Sequence, residues 1–138
     1  TLARLGYVVT VFDTRPGLHT LDENTWARYI EVVDDYADAA ARISYPGLTE
    51  VAVMTADYPS DVRALIGLGR AAATFPYVGV MGAPAKLRAI FSDLRTADID
   101  EEFIDALVAP IGVAMKSDTP EEIAISVAAQ LLERAMSD

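Results

Sequence analysis

Residues 76–94, PYVGVMGAPAKLRAIFSDL, decide the fold. Pro76 to Met81 is a short apolar run with valines at alternate positions, which is how a buried strand reads. Gly82 supplies a turn, and Leu87, Ile90, Phe91 and Leu94 then follow the i, i+3, i+4, i+7 spacing of an amphipathic helix. A strand passing through glycine into a helix is one βα unit, and parallel strands need such crossovers to be joined.

The same grammar extends in both directions. Upstream, Glu50 to Met54 (EVAVM) reads as a strand, and Asp57 or Ser60 can cap a helix that turns Val62, Leu65, Ile66 and Ala73 inward. Before it, Arg28 to Val33 (RYIEVV) is a short strand, followed by Asp34 and Asp35 as caps for an alanine-rich helix over Tyr36 to Ile43. Tyr7 to Phe12 (YVVTVF) is another strand, and Thr1 to Leu5 is the last turn of a helix closed by Gly6. Downstream, Asp98 to Leu107 makes a short exposed helix with Phe103, Ile104 and Leu107 on its apolar face. After a loop or short strand over Ala109 to Pro120, Thr119, Pro120 and Glu122 form a capping box, and Ile123, Val127 and Leu131 line one helix face. Strands alternating with helices predict an α/β fold: a mostly parallel sheet covered on both faces, with ligands beyond the carboxyl ends of its strands.

Composition narrows the function. A length of 138 residues suits a single domain over 1–138, and 52% hydrophobic with 23% charged residues is too apolar for disorder. No run of about 18 apolar residues spans a bilayer, and no basic segment leads into an apolar leader. Eleven Lys and Arg against 21 Asp and Glu give a net charge of −10, which disfavours nucleic acid and anionic membranes as partners. The absence of cysteine removes disulfides, thiolate metal sites and a cysteine nucleophile, and suits a cytoplasmic setting. His19 is the one histidine, so a multi-histidine metal site cannot be built; on a loop it is expected to be solvated.

The candidate chemistry lies in the loops. Asp13 ends a hydrophobic strand, where dinucleotide-binding folds place the acid that meets a ribose diol; it can contact ribose or pterin, or simply form a turn. Arg15 beside it can meet a phosphate or pair with an acid. Thr55, Asp57 and Tyr58 close the strand EVAVM in the stretch MTADYPSD, able to line a pocket or to cap a helix. Gly82 opens a helix whose free N–H groups can hold an anion, with Lys86 one turn further along; GVMGAPAK is neither a P-loop nor a G-x-G-x-x-G fingerprint.

In order, PYVGVMG (Pro76 to Gly82), Lys86 with Leu87, API-G (Ala109 to Gly112) and TPEEIAISVAAQLL (Thr119 to Leu132) resemble the C-terminal domain of the XdhC/CoxI family, the xanthine dehydrogenase accessory proteins. GYVVTVFDTRP (Gly6 to Pro16) resembles that family's second Rossmann strand, and VAVMTADYPSD (Val51 to Asp61) a later strand and turn. Ala56 stands where the family's turn carries a histidine, and Ala83-Pro84 where it carries a Ser-basic pair. The resemblance implies a Rossmann-like three-layer α/β/α domain without its first strand and glycine loop. The strand Tyr7 to Phe12 then lacks its central neighbour, and an upstream segment or a second chain is expected to complete the sheet.

The resemblance further implies a non-catalytic maturation factor. It would bind the molybdenum cofactor (molybdopterin), assist its sulfuration with a cysteine desulfurase, and deliver it to a xanthine dehydrogenase-type molybdoenzyme. Asp13 and Arg15, Thr55 with Asp57, and Gly82 with Lys86 are the residues carried over as cofactor-binding, and a homo-oligomer is expected. Two other readings remain open: an oxidoreductase domain using NAD or NADP, and a non-catalytic interaction domain that docks a dehydrogenase through the acidic stretch Asp98 to Asp105.

Overall fold

The computed structural model describes residues 1–18 and 23–137, which leaves His19 outside the described residues. Strand β1 (Thr10–Asp13) pairs in parallel with β2 (Tyr29–Val32), in the register Thr10 to Tyr29 through Asp13 to Val32. Strand β3 (Glu50–Val53) pairs in parallel with β4 (Tyr77–Val80), from Glu50 opposite Tyr77 to Val53 opposite Val80. Helix α1 (Tyr58–Arg70) follows β3 and helix α2 (Pro84–Thr96) follows β4 as expected, with α3 (Glu101–Ala106) and α4 (Pro120–Ser137) after them. Past α3, Val108 extends the second sheet: the Val80 N–H donates to the Val108 carbonyl and the Val108 N–H to that of Val78, each at 2.9 Å.

The β3–β4 sheet is covered on both faces because its side chains alternate. Val51, Val53, Val78 and Val80 face α1 and α2 in a cluster with Val62, Leu65, Leu68, Leu87, Ile90 and Leu94. Tyr77 faces the opposite side, where it packs with Val127 and Leu131 of α4. Each fully buried aliphatic side chain here contributes on the order of 1.5–3 kcal/mol relative to exposure. Gly79 lies on the Tyr77 side, where a β-carbon would come within 2.7 Å of Ile111. Burial pushes the Tyr77 hydroxyl up to about 12. That hydroxyl donates to Gln130 Oε1 at 2.7 Å, and Gln130 in turn brackets Gly112 by accepting from its N–H and donating to its carbonyl, both at 3.0 Å. The layers α1/α2, sheet and α4 give the Rossmann-like α/β/α arrangement.

The helix ends follow their sequence signals. Asp57 caps α1 by accepting from the Ser60 N–H at 2.9 Å, and Thr119 accepts from the Glu122 N–H at 3.2 Å at the start of α4. Gly6, at φ 91°, closes the turn Ala3–Leu5 in the left-handed region that glycine favours.

Three expectations are corrected. The alanine-rich stretch forms two 3-10 turns, Tyr36–Asp38 and Ala40–Arg42, rather than one helix over 36–43. Asp35 caps the first by accepting from the Ala37 N–H at 3.0 Å, and this turn packs so closely on α1 that a β-carbon on Gly67 would sit 2.3 Å from the Ala37 carbonyl oxygen. Tertiary packing thus overrides helix propensity here. Helix α1 stops at Arg70, which leaves Ala73 exposed instead of inward. The first strand starts at Thr10 rather than Tyr7, because the Tyr7 N–H turns back to the Leu2 carbonyl at 3.2 Å and Val8 has no strand beside it.

The two sheets share no strand. Among the described residues, as expected, the strands do not close a single sheet.

Candidate functional site

The six candidate residues lie at or just beyond the carboxyl ends of strands: Asp13 ends β1 with Arg15 in the loop after it, Thr55 and Asp57 follow β3, and Gly82 and Lys86 lie between β4 and the first turn of α2. Asp13 ends β1 almost fully buried and is gripped by Arg15, whose Nε and Nη2 donate to its two carboxylate oxygens at 3.0 and 2.9 Å. The Arg15 backbone N–H adds a third bond at 2.9 Å. This guanidinium holds the Asp13 carboxyl below the usual carboxylate range, against the opposing effect of burial. Arg15 stays half-exposed, so its side of the pair faces solvent.

Thr55, Asp57, Gly82 and Lys86 meet around a residue that the sequence reading passed over. Asp61, in the first turn of α1, is 0% exposed. Its Oδ1 accepts from the Thr55 N–H at 2.9 Å, and the Thr55 hydroxyl lies 2.7 Å from the same oxygen. That hydroxyl is also 2.9 Å from the Asp57 carbonyl, so its single proton is shared between two acceptors. Asp61 Oδ2 lies 2.6 Å from Lys86 Nζ and takes no aligned hydrogen bond, so charge rather than direction holds the ammonium there. Lys86 Nζ reaches the Met81 carbonyl at 3.4 Å as well. One buried carboxylate thus ties the loop after β3, the start of α1 and the start of α2 together.

Gly82 has a concrete steric role in this arrangement. A β-carbon there would lie 3.0 Å from Lys86 Cδ, and glycine leaves room for the lysine stem to fold back toward Asp61. Beyond it, Ala83 begins α2 without a side-chain cap, so the first amides of that helix have no side-chain acceptor. Asp57 is held below the usual range first by its hydrogen bonds with Ser60, with smaller contributions from the Arg15 and Lys86 charges. Charges from the β1 loop and from the start of α2 thus both reach Asp57. Tyr58 turns away and donates to the Asp93 carboxylate on α2, which raises its own proton affinity.

Both cations of the site are therefore paired with carboxylates, Arg15 with Asp13 and Lys86 with Asp61. Chemically, the arrangement offers a row of fixed donors and acceptors: guanidinium, carboxylate, hydroxyl, ammonium and the amides opening α2. Among the described residues no group of three or more acidic, histidine or cysteine side chains is placed to hold a metal ion. Asp61 was legible only as one acid among several in TADYPSD; its distance from Asp57 puts it one helical turn on, facing back toward Thr55.

Comparison with known proteins agrees with this architecture. A segment of 57 residues, 41% of this chain, is 37% identical to the Uncharacterized protein YqeB of Escherichia coli (strain K12) and covers 10% of that protein. A crystal structure described as a xanthine dehydrogenase from Bacillus halodurans superposes with a TM-score of 0.79 at 27% identity, over 98% of this chain and 37% of that one. The chain thus spans well under half the length of the proteins it matches. Over residues 1–131 the sequence fits the family model of the XdhC Rossmann domain, and the chain belongs to that family.

Proposed function

We propose that this domain serves a xanthine dehydrogenase system as the cofactor-binding part of an accessory factor. It takes up the molybdenum cofactor, shields it while a cysteine desulfurase provides sulfur, and presents it to a xanthine dehydrogenase-type molybdoenzyme, acting in the cytoplasm as a non-catalytic maturation factor. The observation that carries this reading is the family match over residues 1–131, joined to the polar side chains gathered at the carboxyl ends of the strands. No helix among the described residues is long and apolar enough to cross a membrane.

The residues present fit a molybdopterin in kind. A pterin edge needs fixed hydrogen-bond donors and acceptors, which Asp13, Arg15 and Thr55 offer. Its phosphate suits the uncapped amides at the start of α2 with Lys86 beside them, where Gly82 keeps the approach open. Asp57 forms the wall between the two. The bound cofactor supplies the redox-active metal centre that the recipient enzyme uses; this chain's residues bind, orient and shield.

The test uses the complete protein. Asp13→Ala and Lys86→Ala are each expected to weaken retention of a molybdopterin species at least tenfold, measured by equilibrium binding with fluorescence of the oxidised pterin. Unchanged affinity in both removes this site. Titration with NAD and NADP separates the nicotinamide reading, since tight binding of either, with hydride transfer, would replace the accessory role by an oxidoreductase one.

A further inference from the structure

Thr55 has no hydrogen left to offer a ligand. Its N–H donates to Asp61 Oδ1 at 2.9 Å, and its hydroxyl lies 2.7 Å from the same oxygen and 2.9 Å from the Asp57 carbonyl. A hydroxyl carries one proton and two lone pairs, so whichever of these acceptors takes the proton, only lone pairs remain for a third group. Asp61 enforces this. It is 0% exposed, with the Lys86 ammonium 2.6 Å from its other oxygen, and a carboxylate paired in this way accepts and does not donate. Turning the Thr55 proton outward would leave the buried Oδ1 with one donor in place of two, and a buried acceptor is costly to strip. Oδ2 takes no aligned hydrogen bond, so the carboxylate has nothing in reserve to offset the loss.

The neighbouring side chain has the same polarity. Asp57 is exposed in the same loop, and its Oδ1 accepts from the Ser60 N–H at 2.9 Å. Its carboxyl is held below the usual range, so near neutral pH it too offers only acceptors. At the start of α2 the polarity reverses, because the first amides there have no side-chain acceptor. The two ends therefore ask different things of one ligand. A pair of acceptors needs N–H or O–H groups opposite, and a carbonyl placed there would set lone pairs against lone pairs.

We infer that the Thr55–Asp57 end of the site selects a heterocycle edge that bears an amino group beside a ring N–H, with Thr55 as the specificity-determining residue and Asp61 as the residue that positions it. Asp61 acts through Thr55 and, being fully buried, meets no ligand itself. Two adjacent hydrogens match a hydroxyl and a carboxylate that can only accept, whereas an edge with one N–H and one carbonyl matches only one of them. Pterins and guanine share the amino-bearing edge; in adenine the amino group stands beside a ring acceptor instead. This selection rests on the reading of the loop as a ligand site, and it narrows the cofactor reading to a particular edge of the ring.

Equilibrium titration of the full-length protein with two matched pairs tests it. Lumazine is pterin with the amino group replaced by a carbonyl, and inosine is guanosine with the amino group removed. The amino member of at least one pair is expected to bind about tenfold more tightly or better, the loss that goes with unpaired acceptors. Preference within the first pair assigns a pterin; preference within the second alone assigns a nucleobase and removes the pterin reading while the selection stands. Equal binding of pterin and lumazine, with no preference for guanosine, overturns the selection and leaves the cofactor reading in place. Binding of none of the four overturns both. Thr55→Val removes the lone pairs at nearly constant shape and is expected to cut the preference to about twofold or less, while Thr55→Ser restores it. A purely structural effect would weaken both members of a pair alike, so a parental ratio in Thr55→Val overturns the role of Thr55. Asp57→Asn keeps the cap, since Asn caps a helix as well as Asp does. With the amide oxygen held on the Ser60 N–H, its NH2 turns outward, and the preference is expected to fall or reverse; an unchanged ratio removes Asp57 from the selection. Asp61→Ala releases the Thr55 N–H and frees the hydroxyl to turn, so an unchanged ratio there overturns the positioning role of Asp61.

Discussion

Asp61 shows why a single buried carboxylate can matter more than the exposed charges around it. A buried ion pair is weak evidence of net stabilisation, yet removing one partner strands the other and costs about 3–5 kcal/mol. Asp61→Asn keeps an acceptor for Thr55 but leaves Lys86 without its counter-charge, and because Lys86 retains a path to solvent we expect a loss near about 3 kcal/mol in urea unfolding. An Asp61→Asn protein as stable as the parent would show that the 2.6 Å pair contributes nothing. Asp13 behaves differently because its partner sits at the surface. Its carboxyl is lowered in the fold, first by the Arg15 hydrogen bond, whereas an unfolded Asp titrates near about 3.9. The stabilisation is therefore present above that value and lost as pH falls through the lower folded value. Arg15→Ala removes the cause, so acid unfolding followed by circular dichroism is expected to begin at higher pH; an unshifted acid limb rejects the pair as a stabiliser. Six candidate positions could be placed from the sequence because they sit at strand ends and helix starts, where local pattern speaks. Asp61 could not, since its role depends on Thr55 and Lys86 arriving from two other elements.

At the scale of elements, the long periodic segments were legible and the short alanine-rich one was not. Leu87, Ile90 and Leu94 are buried as their spacing requires, and Thr119 caps α4 as its sequence predicts. The stretch from Tyr36 has good helix formers but only ten residues before Pro46, too short for a helix to persist without a packed face. What shapes it instead is contact with α1 at Gly67, a glycine that in sequence reads only as a weak spot in a helix. Gly67→Ala makes the consequence measurable. In an isolated helix the change would stabilise by roughly 1 kcal/mol. Here a β-carbon 2.3 Å from a backbone oxygen must displace the whole turn, so we expect destabilisation by about 2 kcal/mol or more in thermal unfolding. A neutral or stabilising result would mean that the 3-10 turn yields freely.

For the whole molecule, the decisive feature is a sheet in two halves among the described residues, which the family resemblance, rather than pattern or composition, led one to expect. Composition could not show it, because a chain with 52% hydrophobic residues has ample apolar content for a core. The deficit is one of hydrogen-bond partners at two edges. Edge strands without protection associate with whatever strand is at hand. Expressed by itself, the 138-residue chain is expected to self-associate as concentration rises, in spite of a net charge of −10 that opposes it. Val8, 65% exposed just ahead of β1, is the place to intervene. Val8→Lys puts a charge beside the edge of β1 and should shift sedimentation toward monomer in the isolated chain. In a longer protein whose edge is filled, as the resemblance implies, the same lysine meets the added strand and should lower the melting temperature by several degrees. The opposite signs of the two effects separate an edge that is merely sticky from one that is normally filled: a variant that is harmless in both contexts would place Val8 outside any interface.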